Sequence, residues 1–179
     1  MSRVLFSTLG MSDPVRNYYD GPFLHILRHY KPAKAYLFMT RRVCELADHD
    51  DRYRIQAQNL CASEGFNCEI IELRHEEIDK PHEFDIFYSI FEKIINRIHK
   101  ENPGCEILIN LSSGTPQMKS ACQILGLTSA FPVTAIQVTT PNEQENYGVK
   151  DFDVELSWEN NIDNDPSLEK KPRTKEVKS

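Results

Sequence analysis

The 179-residue chain reads as an α/β protein, a Rossmann-like doubly wound domain with a mostly parallel sheet, helices on both faces and a C-terminal edge strand. Three observations predict this. Short, near-continuous apolar runs recur five times before residue 140, the pattern of strands buried on both faces. Stretches with apolar residues at helical spacing separate them. The two least ordinary loops, GMSDPVRNYYDG and LSSGTPQ, follow the first and fourth runs. Those strands usually flank the point where strand order reverses, and ligands bind there.

Residues 3–8, with Val4-Leu5-Phe6, give the first strand. The polar loop from Gly10 to Gly21 follows. Asp20 and Pro22 read as the cap and first turn of a helix carrying Phe23, Leu24, Leu27 and Tyr30, which stops at Lys31-Pro32. Ala35 to Met39 is the second strand. Val43, Leu46, Ala47, Ala57, Leu60 and Cys61 keep helical spacing on both sides of the charged stretch 48–54, and Gly65 is the stop. Cys68 to Leu73 is the third strand. Phe84, Phe87, Ile90, Phe91, Ile94, Ile95 and Ile98 form the strongest amphipathic pattern, ending before Asn102-Pro103-Gly104. Cys105 to Asn110 is the fourth strand, followed by a helix using Met118, Ala121, Cys122 and Leu125, and Val133 to Thr139 is the fifth. Phe152, Val154, Leu156 and Trp158 alternate with polar residues, as a half-exposed edge strand does. The domain is expected over 1–158, with a linker or disordered tail over 159–179.

Composition narrows the function. With 40% hydrophobic and 27% charged residues the chain is an ordinary globular one. No apolar run reaches the ~18–20 residues of a membrane span, and the N-terminus lacks a signal-peptide layout, so a cytoplasmic location is expected. A net charge of −6 argues against gripping long nucleic acid. Five cysteines without CxxC spacing, Cys44, Cys61, Cys68, Cys105 and Cys122, suggest reduced thiols rather than a disulfide framework or a structural zinc. No HExxH or Cys/His cluster is present, so neither metal nor cofactor is expected, and His25, His29 and His99 read as helix-face residues.

The segment Asn110-Leu-Ser-Ser-Gly-Thr-Pro-Gln-Met-Lys119 carries the chemistry. Gly114 lets the backbone approach a ligand or take a positive φ. Thr115 can cap the next helix with Pro116 at its first position, and the free N–H groups of that turn suit an anionic oxygen. Ser112, Ser113 and Thr115 add hydroxyls, and Lys119 lies on the face of Thr115 one turn on. A hydroxyl and an ammonium so placed suit a phosphodiester. Thr115-Pro116 as a cap and Ser112-Ser113 as a turn is an equally good account of that segment alone; its pairing with the first loop favours a site. Asp13 serves equally as a turn cap before Pro14 or as a ligand contact. Thr40-Arg41-Arg42 can supply further phosphate contacts, although Arg42 reads better as a solvated helix start. Neither GxGxxG nor a Walker A loop is present. A hydrolase built on Ser113 lacks a histidine partner nearby.

LFSTLGMSDPVRNYYDGPFLHILRHYKPAKAYLFMT, NLSSGTPQMK and FPVTAIQVTTP together resemble the CARF (CRISPR-associated Rossmann fold) domain of the type III-A CRISPR ancillary ribonucleases, over roughly residues 3–158. The resemblance implies a homodimer that binds a cyclic oligoadenylate second messenger, usually the six-membered ring, across its two-fold axis. Leu9, Gly10, Met11, Ser12 and Asp13, with Ser112, Ser113, Gly114, Thr115, Gln117 and Lys119, would line that site; Asn110, Thr40 and Arg41 are further candidates. It also implies slow, metal-independent cleavage of the ring, with Thr115, Ser113 and Lys119 as candidate catalytic residues, or a sensor that binds without cutting. The family's HEPN ribonuclease domain is expected to be absent here. Arg42 and His49 fit its R-x4-6-H spacing but fall in the Rossmann-like part. Arg16 and Asn17 would lie near the site without an assigned contact.

Overall fold

The computed structural model describes residues 1–16, 19–79, 84–138 and the backbone of 149–151. Its elements are β1 (Arg3–Thr8), β2 (Val15–Arg16), β3 (Tyr19–Asp20), α1 (Pro22–Tyr30), β4 (Lys34–Thr40), α2 (Arg41–Asp50), α3 (Arg52–Glu64), β5 (Glu69–His75), α4 (Phe84–Glu101), β6 (Glu106–Asn110), α5 (Pro116–Thr128), β7 (Val133–Val138) and β8 (Val149–Asp151).

The main sheet has the order β5-β4-β1-β6-β7-β8. The first five strands run parallel, and β8 lies antiparallel on β7. Strand order reverses between β1 and β6, which pair from Arg3↔Glu106 to Phe6↔Ile109. The expected edge strand at 152–158 and the tail at 159–179 lie outside the described residues.

Each sheet face buries its own core, which is why the strands read as continuous apolar runs. On one face Leu5, Leu37, Met39 and Leu108 pack with α1, α2 and α3 through Phe23, Leu27, Val43, Tyr53 and Leu60. On the other, Phe6, Phe38, Ile107 and Ile109 pack with α4 and α5 through Phe87, Phe91, Ile95, Met118 and Leu125. Phe38 meets Phe91 edge-on with centroids 4.8 Å apart. Burying such side chains is worth ~1.5–3 kcal/mol each, so these two layers carry most of the stability.

Two local expectations need correction. Helical spacing holds on both sides of residues 48–54, but two helices stand there rather than one, broken at Asp51, whose φ of 51° is left-handed. Asp tolerates that conformation, and the neighbouring Asp50 carboxylate accepts from the Arg52 N–H and its guanidinium, making a local alternative to the helix. Asp20 is not the cap of α1. Gly21 holds that position, and Asp20 sits on β3 of a small hairpin inside the expected loop. There it accepts two bonds from Arg28, at 2.8 and 3.0 Å, and Arg28 also reaches Glu64. This clamp ties the hairpin to α1 and the end of α3.

Cys44, Cys61 and Cys122 are buried free thiols, and Cys68 and Cys105 are half-buried ones. Among the described residues no helix is long and apolar enough to cross a membrane.

Candidate functional site

At the C-terminal ends of β1 and β6 the apolar runs give way to buried polar groups, Ser7, Thr8 and Asn110, with Ser113 just beyond. They are bonded to one another. The Asn110 amide donates to the hydroxyls of Ser7 (2.9 Å) and Ser113 (2.8 Å), and the Thr8 hydroxyl donates to the Ser113 carbonyl at 2.7 Å. Asn110 Oδ1 accepts from the Ser112 N–H, holding the turn just after β6. The Ser112 hydroxyl accepts from the Val138 N–H at 2.7 Å, joining the turn to β7.

The two loops touch at their glycines. A Cβ on Gly10 would lie 3.0 Å from the Gly114 nitrogen. Gly114 has φ of 89°, and a Cβ there would meet Thr8 Oγ1 at 2.8 Å and Met118 Sδ at 2.9 Å. Glycine is therefore required at Gly114 on two counts, conformation and space.

Thr115 is the N-cap of α5, its hydroxyl accepting from the Met118 N–H at 3.3 Å, and Pro116 takes the first position. The Lys119 N–H bonds to the Thr115 carbonyl. Among the described residues the N–H groups of Gly114, Thr115 and Gln117 have no protein acceptor. Donors at a positive helix end, with half-buried Lys119 one turn on, are chemistry that suits an anionic oxygen.

Asp13 lies beneath this surface, 6% exposed. One carboxylate oxygen accepts from the Gly10 N–H at 2.9 Å and the other from the Phe23 N–H at 3.0 Å. It thus supplies the side-chain acceptor that α1 lacks at its own cap. Burial pushes its carboxyl above the ordinary value, while the Gly10 and Phe23 bonds, the facing Ser113 hydroxyl and Lys119 pull the other way.

The expected residues thus separate. Gly10, Ser12, Ser112, Gly114, Thr115, Gln117 and Lys119 are half-buried at the meeting loops, and Met11 is 75% exposed on the first. Leu9 belongs to the core, and Asp13, Asn110 and Ser113 form the floor. Thr40 and Arg41 stand at the end of β4. Among the described residues no hydrogen bond joins them to either loop, and Arg41 is turned to the Glu76 carbonyl (2.8 Å) and Asp79. Arg42 pairs with Glu45 on the surface. Arg16 is exposed on β2, and Asn17 lies outside the described residues. Ser7, Thr8 and Gly21 were not anticipated. A Cβ on Gly21 would meet the Ser12 carbonyl oxygen at 2.2 Å and Asp13 Oδ1 at 2.7 Å. Their signal was available, polar residues closing an apolar strand and a glycine directly before a helix.

A mostly parallel sheet, with two glycine loops meeting where its strand order reverses, is a Rossmann-like domain, a class that takes ligands at that point. Residues 67–174, more than half of the chain, match the family model of the Cas_Csm6 CARF domain, and the chain belongs to this family. It is similar to the CRISPR system endoribonuclease Csm6 of Mycobacterium tuberculosis, 32% identical over 168 residues, covering 91% of this chain and 39% of that protein. The Csm6 of Enterococcus italicus is 32% identical over 149 residues, covering 83% of this chain and 34% of the relative. The chain therefore spans about two fifths or less of the curated relatives it matches. The solved structure of Enterococcus italicus Csm6 bound to cyclic hexa-2'-fluoro-hexa-dAMP superposes with a TM-score of 0.75 at 26% identity, covering 90% of this chain and 43% of that one.

Proposed function

We propose that the site where the β1 and β6 loops meet binds a cyclic oligoadenylate, with cyclic hexa-adenylate the preferred ring, as a sensor in type III CRISPR defence. The observation that carries this is the Gly10–Gly114 contact beside the N–H donors of Gly114, Thr115 and Gln117, which have no acceptor among the described residues. It offers a ribose–phosphate backbone close approach and several donors at once. The cyclic hexanucleotide analogue named with the Enterococcus italicus structure supports the choice of ring. Two copies of the domain would share one ring across a two-fold axis.

We further propose that the site cuts its ligand slowly. A ribose 2′-OH attacks the adjacent phosphorus, the P–O5′ bond breaks, and the proton released from the 2′-oxygen ends on the 5′-oxygen. The products are a 2′,3′-cyclic phosphate and a 5′-hydroxyl. The Gly114, Thr115 and Gln117 N–H groups and Lys119 would stabilise charge growing on the phosphate, and the Thr115 hydroxyl keeps a proton to donate while its oxygen caps α5. Asp13 sits in the first loop but is buried, with an N–H donor on each carboxylate oxygen, so it is assigned no role as a general base and slow turnover is expected.

Incubating the protein with cyclic hexa-adenylate in EDTA tests both steps. Binding followed by fragments ending in 2′,3′-cyclic phosphate is expected. A bound ring that stays intact for hours contradicts cleavage and leaves a binding-only sensor; a ring that is not bound at all contradicts the function.

A further inference from the structure

We propose that Asp13 is a positioning residue: it does not touch the ligand but fixes the Gly10 turn against Gly114, and so sets the spacing of the two loops that receive the ring. The inference rests on the binding function proposed above and adds the device that shapes the site.

Four observations carry it. Asp13 is in the sequence segment that would line the site, yet only 6% of it is exposed. Both carboxylate oxygens are spent on backbone, one on Gly10 at the mouth of the loop and one on Phe23 at the start of α1. The loop is thus folded around this one side chain; the Asp13 N–H bonds back to the Gly10 carbonyl at 3.1 Å, closing the turn from the other side. Gly21 leaves the room the carboxylate needs, since a Cβ there would stand 2.7 Å from Asp13 Oδ1. The opposite loop is held to the same spot through the Thr8–Ser113 bond, and the Gly10 and Gly114 backbones meet with no space for a side chain.

A carboxylate is suited to this because it offers two acceptors to two N–H donors and has no donor of its own. Asparagine offers one acceptor oxygen and directs an NH2 at the second N–H. Asp13→Asn should therefore release either Gly10 or Phe23 without removing bulk.

The test compares wild type, Asp13→Asn and Ser113→Ala by calorimetric titration with cyclic hexa-adenylate, by thermal unfolding, and by the amide resonances of Gly10 and Gly114. Asp13→Asn is expected to stay folded, to shift the Gly114 amide although it has no bond to residue 13, and to weaken binding by about tenfold. Ser113→Ala, which removes both the hydroxyl facing Asp13 and the acceptor of the Asn110 amide, is expected to shift the Gly10 amide and weaken binding as well; if Asp13→Asn does not fold, Asp13→Glu decides the matter, a moved Gly114 amide upholding the coupling and an unmoved one refuting it. A folded variant with a lower midpoint but affinity within about twofold of wild type would overturn the positioning role and leave Asp13 a structural residue. Should wild type not bind the ring, the ligand assignment fails, and the amides still decide: a moved Gly114 resonance in Asp13→Asn upholds the coupling of the loops, and an unmoved one refutes it.

Discussion

Thr115 has two tasks that can be separated by substitution. Its hydroxyl oxygen caps α5 and its proton remains for a ligand. Thr115→Ala should lower stability by about 1 kcal/mol, as loss of an N-cap does, and weaken binding or cleavage further. Thr115→Ser keeps the hydroxyl and should restore both. Denaturant unfolding alongside ligand titration checks this; an alanine variant that loses stability but neither binding nor cleavage would leave Thr115 only a cap. The cap itself could be read from Thr-Pro in the sequence. The burial of Ser113 beneath it could not, because a serine in a polar loop carries no mark of which way it faces.

Asp13 makes a pH prediction. Burial, the largest influence, raises its carboxyl pKa above 3.8 in the folded protein. The folded state therefore holds this proton more tightly than the unfolded chain. The resulting stabilisation is fully present below the unfolded value and is lost as pH rises through the folded one. The stability of wild type relative to Asp13→Asn should accordingly fall as pH rises across that window, measured by unfolding at a series of pH values. A difference that does not change with pH would contradict a raised pKa.

At the level of elements, the loop after β1 is a built structure rather than a connector. The β2–β3 hairpin is clamped by Arg28 to Asp20 and Glu64, and its base is held by Asp13. Arg28 is 37% exposed, so solvent screens these pairs, and Arg28→Ala should cost only about 0.5–1 kcal/mol by chemical denaturation. Gly114→Ala is a harsher change. It places a side chain at φ of 89° and 2.8 Å from Thr8 Oγ1, and should cost about 1–3 kcal/mol and abolish binding. Full stability and affinity in that variant would contradict the close packing of the two loops.

The long elements were readable because their periods are strong. Phe87, Phe91, Ile94, Ile95 and Ile98 line one side of α4 and are all buried. What escaped was short or long-range. Two-residue strands have no period, and the break at Asp51 depends on one residue entering left-handed space beside the Asp50–Arg52 bonds. The capping of α1 by Asp13 spans ten residues, beyond any local pattern. Arg41 read as a phosphate ligand because it follows a strand, but its partners, the Glu76 carbonyl and Asp79, come from the segment after the neighbouring strand β5, far along the sequence.

For the molecule as a whole, the sheet order puts β1 and β6 at the centre with helices leaving to opposite faces, and this brings the loops of Gly10 and Gly114 together at the point where such folds take ligands. The two most unusual loops in the sequence fall on the two strands that topology singles out. That agreement between chemistry and architecture, together with membership of the Csm6 CARF-domain family, is the foundation of the proposed function.

The most direct measurement is thermal unfolding with cyclic hexa-adenylate, cyclic tetra-adenylate and linear hexa-adenylate. A ligand at about 100 times its Kd adds ~2.7 kcal/mol, which for a domain of this size is a rise of roughly 5–10 °C in Tm. The account predicts such a rise with the cyclic hexamer, less with the tetramer, and little with the linear strand. No shift with either ring at saturating concentration would contradict it.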